Sequence, residues 1–169
     1  MSCARKPAGN FERLYLHVVT EGLRTIAVAG SGLALGFAWH AIRTSMIPTS
    51  SPDRLVSELR LGQFAALLLT MTAGVYIGFA VAHDTVQGVG FEVAFAVGFL
   101  IVAGSTMVRD PRHALTILAF AFAAHAVLDV AHRPGGFLPD GIAPRWYLIG
   151  CASYDVLIGA LCYVPILRR

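Results

Sequence analysis

Five long apolar stretches, separated by short polar or Gly/Pro-containing segments, dominate the hydrophobic pattern of this chain. They lie at about residues 22–42, 60–82, 89–108, 113–132 and 145–166. Each holds about twenty residues, and at a rise of about 1.5 Å per residue such a helix matches a hydrocarbon core of about 30 Å. The pattern predicts an all-α, polytopic membrane protein with about five transmembrane helices in an antiparallel bundle.

The polar segments divide the chain further. Residues 1–10 are predicted as a basic tail, and the stretch from Phe11 as a short interfacial helix leading into the membrane. The predicted organisation is thus an N-terminal part, 1–21, and a single transmembrane helical domain, 22–169. Prolines and glycines predict loops at 43–57 and 133–144.

Composition agrees with a membrane protein and excludes other classes. The 169 residues are 56% hydrophobic and 14% charged, with a formal charge of +3. The basic residues lie between apolar stretches, as membrane-flanking residues do, so we expect a lipid bilayer and not nucleic acid as partner. The expected location is a cell membrane, with a bacterial inner membrane as its setting. The three cysteines have no metal-ribbon spacing, and no disulfide framework is expected.

Three ionisable residues near the end of the fourth stretch fall on one helix face. His125, Asp129 and His132 occupy positions i, i+4 and i+7, which line up over two turns. Ionisable groups at membrane depth are costly, so they normally face a bundle interior, a partner or a cavity. This stripe of His125, Asp129 and His132 is therefore a candidate functional site.

Antiparallel connectivity brings further polar residues to the same leaflet. The second and fourth stretches end, and the third and fifth begin, at one membrane face. This places His83, Asp84, Glu92 and Asp155 in the half of the membrane that holds the stripe. We therefore expect most acids and histidines near the membrane to gather on one side.

These side chains are of the types that bind divalent metal ions. Imidazole and carboxylate groups bind zinc, iron and manganese, and a catalytic zinc site uses about three protein ligands and one open position. We predict a divalent metal, with zinc as first choice, held by His125, Asp129 and His132. Glu92 and Asp155 are predicted as catalytic carboxylates, and Asp155 is also an alternative ligand to Asp129.

A structural explanation of the stripe stands beside this one. A histidine–carboxylate pair can tether the fourth and fifth helices, and such hydrogen bonds in lipid contribute about 0.6–2 kcal/mol each. Trp146 and Tyr147, at the start of the fifth stretch, are predicted as a pair of interfacial anchors.

The second half of the chain resembles a family of small integral-membrane proteins that have no assigned activity. The shared pattern is Glu92, then His-x3-Asp-x2-His at 125–132, then Trp-Tyr, Cys151 and Tyr-Asp at 154–155. It covers about residues 85–165, with Arg133 where a second histidine often follows in the family. In residue types alone the chain is also similar to membrane hydrolases of the alkaline ceramidase type. That likeness implies zinc held by intramembrane histidines and an aspartate.

Three functions follow as hypotheses. The first is a metal-dependent membrane hydrolase acting on a lipid-like substrate, with Glu92 as general base. The second is a proton- or ion-coupled small transporter that uses the same groups as a relay, although five stretches show no inverted repeat. The third is a structural subunit of a membrane complex, in which the stripe only holds helices together.

Overall fold

The computed structural model describes residues 10–82, 88–132, 138 and 142–167, with the side chains of residues 10–20 and 23 outside the description. Each of its five helices contains a segment long and apolar enough to cross a membrane. The described residues include no β-strand. The predicted fold class, an all-α polytopic membrane protein with five helices, is confirmed. The helices are α1 (Asn10–Met46), α2 (Pro52–Ala82), α3 (Val89–Thr106), α4 (Pro111–Ala131) and α5 (Arg145–Leu167).

The loop predicted at 43–57 is wrong in its bounds. Helix α1 continues through Met46 and α2 begins at Pro52, so only residues 47–51 connect the two helices. Proline suits the first position of a helix because the missing N–H has no intrahelical partner there. Ser51 precedes it and accepts a hydrogen bond from the backbone N–H of Asp53 at 3.3 Å. Pro52 therefore starts a helix and does not mark a loop interior.

The other predicted segments either belong to α1 or lie largely outside the described residues. The expected interfacial helix from Phe11 is part of the uninterrupted α1. His83 and Asp84 lie outside the described residues, as does most of the predicted loop at 133–144. Leu138 and residues 142–144 are described there, and they are not helical.

The chain divides into two compact units, Met1–Gly36 and Phe37–Arg169. In the first unit, the described backbone is helical from residue 10 onward. Its exposed Arg24 pairs with Glu21 at 2.9 Å, three residues away. The predicted division after residue 21 stays a prediction.

In the second unit, the most extensive helix–helix contact is that between α4 and α5. Gly159 of α5 makes it close, because a Cβ at this position would lie 3.2 Å from the Ala119 carbonyl oxygen and 3.3 Å from Phe122 Cβ. Small residues allow such approaches between membrane helices. The contact lies one turn from Asp155 on α5 and one turn from His125 on α4, so it fixes the spacing between those two positions.

The opposite end of the bundle is held by a buried arginine. Arg54 is only 2% exposed, and its guanidinium donates to the Thr44 carbonyl oxygen at 2.6 Å, the Ile47 oxygen at 2.9 Å and the Pro165 oxygen at 2.6 Å. The last carbonyls of a helix have no intrahelical partner, and positive charge is favourable beside them. Arg54 thus joins the carboxyl-terminal ends of α1 and α5 to the start of α2.

Glu58 completes this Arg54 network. It is 1% exposed, accepts from Arg54 Nε at 2.6 Å through one oxygen, and accepts from Arg112 Nε at 3.1 Å through the other. Arg112 lies in the first turn of α4, so the network links four helices. Both carboxylate oxygens and all three guanidinium nitrogens of Arg54 have hydrogen-bond partners, as buried charges require.

We expect Gly159→Leu to destabilise the protein by about 1–3 kcal/mol, because its side chain must push α4 and α5 apart. Gly150→Leu is the matched control, since Gly150 is exposed on the same helix and an added Cβ meets nothing within 4 Å. Thermal unfolding in detergent measures both variants. Equal melting temperatures would contradict the close contact at Gly159.

Replacing Arg54 by methionine removes the partner of a buried carboxylate and leaves helix-end carbonyls without donors. We expect a loss of about 3–5 kcal/mol in unfolding free energy. Arg54→Met/Glu58→Gln should recover part of that loss, because no buried negative charge remains. Arg60→Met, at an exposed site on the same helix, should stay within about 0.5 kcal/mol of wild type. A small effect of Arg54→Met would mean that the network contributes little.

Candidate metal centre

Helices α4 and α5 each present a pair of metal-binding side chains at i and i+4, and the two pairs face each other. His125 and Asp129 come from α4, and Cys151 and Asp155 from α5. All four are buried, with exposed fractions between 0% and 6%. One possible donor atom from each lies within 4.8 Å of the other three. Helical periodicity places each pair on one face, and the close α4–α5 contact brings the two faces together.

His125, Asp129, Cys151 and Asp155 form a group that could hold a metal ion, the metal-binding group. Their contacts join the two helices. His125 Nδ1 lies 2.7 Å from Asp155 Oδ2 and 3.6 Å from Asp129 Oδ2. The Cys151 thiol donates to Asp155 Oδ2 at 3.7 Å. The imidazole of His125 is therefore in contact with carboxylates from both helices.

Two carboxylate oxygens in the group lack hydrogen-bond partners. Asp129 Oδ2 and Asp155 Oδ1 are buried, and no donor among the described residues reaches either. An unsatisfied buried oxygen costs about 1–3 kcal/mol, and more when it is charged. Since each belongs to a possible ligand, a cation bound here would satisfy both.

The donor set suits zinc. Nitrogen, sulfur and carboxylate oxygen are its usual ligands, at bond lengths of about 2.0–2.3 Å, which place ligand atoms roughly 3.3–3.8 Å apart in a tetrahedron. Candidate donor atoms in the group lie up to 4.8 Å apart, whereas His125 Nδ1 and Asp155 Oδ2 are only 2.7 Å apart. The side chains would need to shift by up to about 1 Å to match that tetrahedron. His125, Asp129, Cys151 and Asp155 can therefore hold a metal ion.

Tyr76 of α2 fixes the orientation of one of these carboxylates. Its hydroxyl donates to Asp129 Oδ1, and its ring packs edge-on against His125, with the ring centroids 5.2 Å apart. The hydrogen bond leaves Asp129 Oδ2 free to face the other donors. Outer partners of this kind commonly set the geometry and affinity of metal ligands.

Tyr147 is not the exposed interfacial anchor that was predicted, and the anchor role of Trp146 stays a prediction. Trp146 is 43% exposed, but Tyr147 is 7% exposed and lies against Tyr76, with ring centroids 6.1 Å apart. The physical reason is periodicity: Tyr147 lies four residues before Cys151, on the α5 face that carries the metal-binding pair.

His132 and Glu92 form a second buried pair beside the metal-binding group. His132 Nε2 lies 2.5 Å from Glu92 Oε1, and His132 Nδ1 lies 2.7 Å from the Leu128 carbonyl oxygen. Because a carbonyl oxygen only accepts, Nδ1 carries a proton. A further proton then lies between Nε2 and the carboxyl group. The second pair thus joins the end of α4 to the first turn of α3.

The structure thus brings together the five predicted site residues but divides them into two sets. His125, Asp129 and Asp155 belong to the metal-binding group, whereas His132 contacts Glu92, its predicted catalytic neighbour. The fourth donor in the group is Cys151. Sequence reasoning set Cys151 aside for lack of metal-ribbon spacing, although its i, i+4 relation to Asp155 was a usable signal.

A narrow cleft of about 10 Å³, enough for about one water molecule, lies among residues of α2, α3 and α4. Its lining includes the second pair and the α4 half of the metal-binding group. The lining residues are Tyr76, Glu92, Phe95, Ala96, Phe99, His125, Leu128, Asp129 and His132.

Comparisons with protein-family models, with curated proteins and with solved structures found no match to this chain. The resemblance to the family of small integral-membrane proteins stays a prediction. The function proposed for the site therefore rests on its geometry.

A double-mutant cycle tests the second pair. Because Glu92 and His132 are in direct contact, we expect Glu92→Gln and His132→Gln to show an interaction energy of about 0.5–3 kcal/mol in unfolding free energy. The control cycle combines Glu92→Gln with Arg60→Gln, an exposed residue near the other end of the bundle. Its two changes should add. Additivity in both cycles would contradict the contact.

Proposed function

We propose that this protein is a metal-dependent membrane hydrolase acting on a lipid-like substrate, with zinc bound between α4 and α5. The observation that carries the proposal is the buried group of four donors within 4.8 Å, two of whose carboxylate oxygens are unpartnered. Burying ionisable side chains in a membrane protein is costly, and groups of them therefore usually mark a functional site.

Three of the four donors are the proposed ligands: His125, Asp129 and Asp155. Two carboxylates and a neutral imidazole balance the charge of a divalent cation. Cys151 is the proposed outer partner, because its thiol donates to Asp155 and it does not line the cleft. A catalytic zinc site keeps one position free of protein ligands, and three protein ligands would leave such a position; two of them, His125 and Asp129, line the cleft.

The bound zinc would polarise a carbonyl group and lower the pKa of a water molecule to about 7. The second pair then supplies the proton transfers. Glu92 and His132 line the cleft together with His125 and Asp129. The Glu92 carboxylate would take the proton from the attacking water and pass the same proton to the leaving group, while His132 holds Glu92 in position through their hydrogen bond.

Proton-coupled transport is the second candidate. The observation in its favour is the series of buried titratable side chains that runs from Glu92 and His132 to Asp129, His125 and Asp155. Such series serve as proton relays in membrane carriers. Proton flux into liposomes tests this candidate independently of any metal.

The decisive measurement is the metal content of detergent-purified protein by mass spectrometry. We expect near-stoichiometric zinc in wild type and its loss in His125→Ala and Asp155→Ala, because each removes a ligand. Cys162→Ser is the matched control, since Cys162 is fully buried on α5 outside the group. It should keep the metal. Cys151→Ser should also keep it if Cys151 is an outer partner.

Hydrolytic activity is measured on the same samples, with acyl esters and amides in mixed micelles as substrates. Glu92→Gln should retain zinc and lose turnover by about 10²–10⁴-fold, the usual range for a general base. Folded wild type that binds no metal even after incubation with zinc would overturn the hydrolase. The flux measurement would then decide between a relay and a helix tether.

A further inference from the structure

The cleft among α2, α3 and α4 is small, and its size limits what it can hold. Its volume of about 10 Å³ is close to the space that one water molecule needs, about 10–15 Å³. A cavity of this size with an apolar lining stays dry, whereas one with two or more hydrogen-bonding groups holds a water molecule. The polar side chains in the lining therefore decide what the cleft binds.

The hydrogen bonds of the lining leave one buried acceptor open. The polar lining consists of Tyr76, Glu92, His125, Asp129 and His132. The Tyr76 hydroxyl donates to Asp129 Oδ1. Both ring nitrogens of His132 are also engaged, one with the Leu128 carbonyl oxygen and the other with Glu92 Oε1. Asp129 Oδ2 is buried and has no donor among the described residues. The cleft therefore suits a small molecule that donates hydrogen bonds.

The cleft also separates the two polar sets of the site. Among the described residues, hydrogen bonds join Glu92 to His132 and His125 to Asp155, but none joins one pair to the other. Members of both sets line the cleft. A molecule bound there thus lies beside the second pair and beside the metal-binding group.

We propose that the cleft binds one water molecule, which donates to Asp129 Oδ2 and to the Glu92 carboxylate and so joins the two sets. A carboxylate oxygen has two lone pairs, so Asp129 Oδ2 can accept from this water and also bind a metal ion. Binding of the water needs no metal.

The role of this water rests on the proposed function: it is the water that hydrolysis consumes. Its oxygen would form a bond to the carbonyl carbon of the substrate while its proton passes to Glu92. The same proton would then go to the leaving group as the bond between that group and the carbonyl carbon breaks. Glu92 thus has its reacting partner in place before the substrate binds.

Ala96 is the residue that leaves room for the water. It is 3% exposed and lines the cleft, one turn after Glu92 on the same face of α3. Leucine adds an isopropyl group, which is larger than a water molecule, so Ala96→Leu should displace the water. Ala94→Leu is the matched control, because it makes the same change at an exposed position of the same helix.

Hydroxyl-radical footprinting with an X-ray pulse tests the water site. Radiolysis of a bound water molecule oxidises the side chains beside it, and mass spectrometry maps the products. In the full-length protein in detergent, we expect oxidation of Phe99 well above that of Phe64, because both are partly exposed but only Phe99 lines the cleft. Equal oxidation of the two rings in wild type would overturn the proposal.

The variants sharpen this test. Ala96→Leu should lower oxidation of Phe99 to the level of Phe64, and Ala94→Leu should leave it at the wild-type level. If Ala96→Leu does not fold, Ala96→Val makes a smaller change at the same position and should also lower oxidation of Phe99, with Ala94→Val as its control. Oxidation of Phe99 that no Ala96 variant changes would overturn the water site.

Zinc content and turnover of the same samples separate the water site from the hydrolase. Ala96→Leu that keeps zinc, loses the Phe99 oxidation and lowers kcat about 10²-fold with little change in KM would support both. Full turnover in this variant without the oxidation would overturn the role of this water in the reaction. Phe99 oxidation in wild type that binds no zinc would support the water site and overturn the hydrolase. More than one zinc ion per protein without Phe99 oxidation would overturn the water site, because a second ion would then occupy the cleft.

Discussion

The contact between α4 and α5 is the interaction on which the rest of this structure depends. Each helix carries a polar i, i+4 pair, which would be costly facing hydrocarbon. Gly159 lets the two backbones approach closely enough for the pairs to meet. The ion pair between His125 and Asp155 then crosses the contact. Small-residue packing and polar pairing are usually treated as separate contributions to the stability of membrane bundles. Here the residues that make them lie on adjacent turns of the same two helices.

Buried charged groups are fully paired at one end of the bundle and only partly paired at the other. In the Arg54 network all three guanidinium nitrogens and both oxygens of Glu58 have partners. In the metal-binding group, Asp129 and Asp155 each keep one buried oxygen without a hydrogen bond. A fully paired network favours a single arrangement and is structural in character. A partly paired one leaves buried oxygens that a bound cation would satisfy, which is why the metal-binding group and not the Arg54 network is the candidate for function.

Periodicity and connectivity were enough to predict much of the fold and part of the site. The length of the apolar stretches determines the number of helices, and the i, i+4 spacing places His125 with Asp129. Antiparallel order places Glu92 and Asp155 in the same leaflet. The partners within that leaflet could not be predicted, because they depend on the rotation of each helix about its axis and on interhelical distances. His132 therefore pairs with Glu92, and Cys151 faces the group.

Two other features were missed for local reasons. Tyr76 lies in the middle of an apolar stretch, and nothing in its neighbours signals that its hydroxyl meets Asp129. Arg54 follows Pro52, and the proline was taken as part of a loop although it begins a helix. The partner of Tyr76 lies 53 residues away, so the local pattern carries no information about it. The i, i+4 relation of Arg54 to Glu58 was a usable signal, but its contact with the Pro165 carbonyl, 111 residues away, was not.

The order of the helices has a consequence for biosynthesis. All four donors of the metal-binding group lie on α4 and α5, which the ribosome makes after α1, α2 and α3. Chains are synthesised and folded from the amino terminus onward, so the earlier helices insert into the membrane while the group does not yet exist. Tyr76 and Glu92 are then already in place to receive Asp129 and His132. Insertion of the α4–α5 hairpin completes both the metal-binding group and, through the Pro165 carbonyl, the Arg54 network at the opposite end. The group that could hold a metal ion and the α5 end of the Arg54 network are thus completed at the same late stage in the synthesis of these five helices.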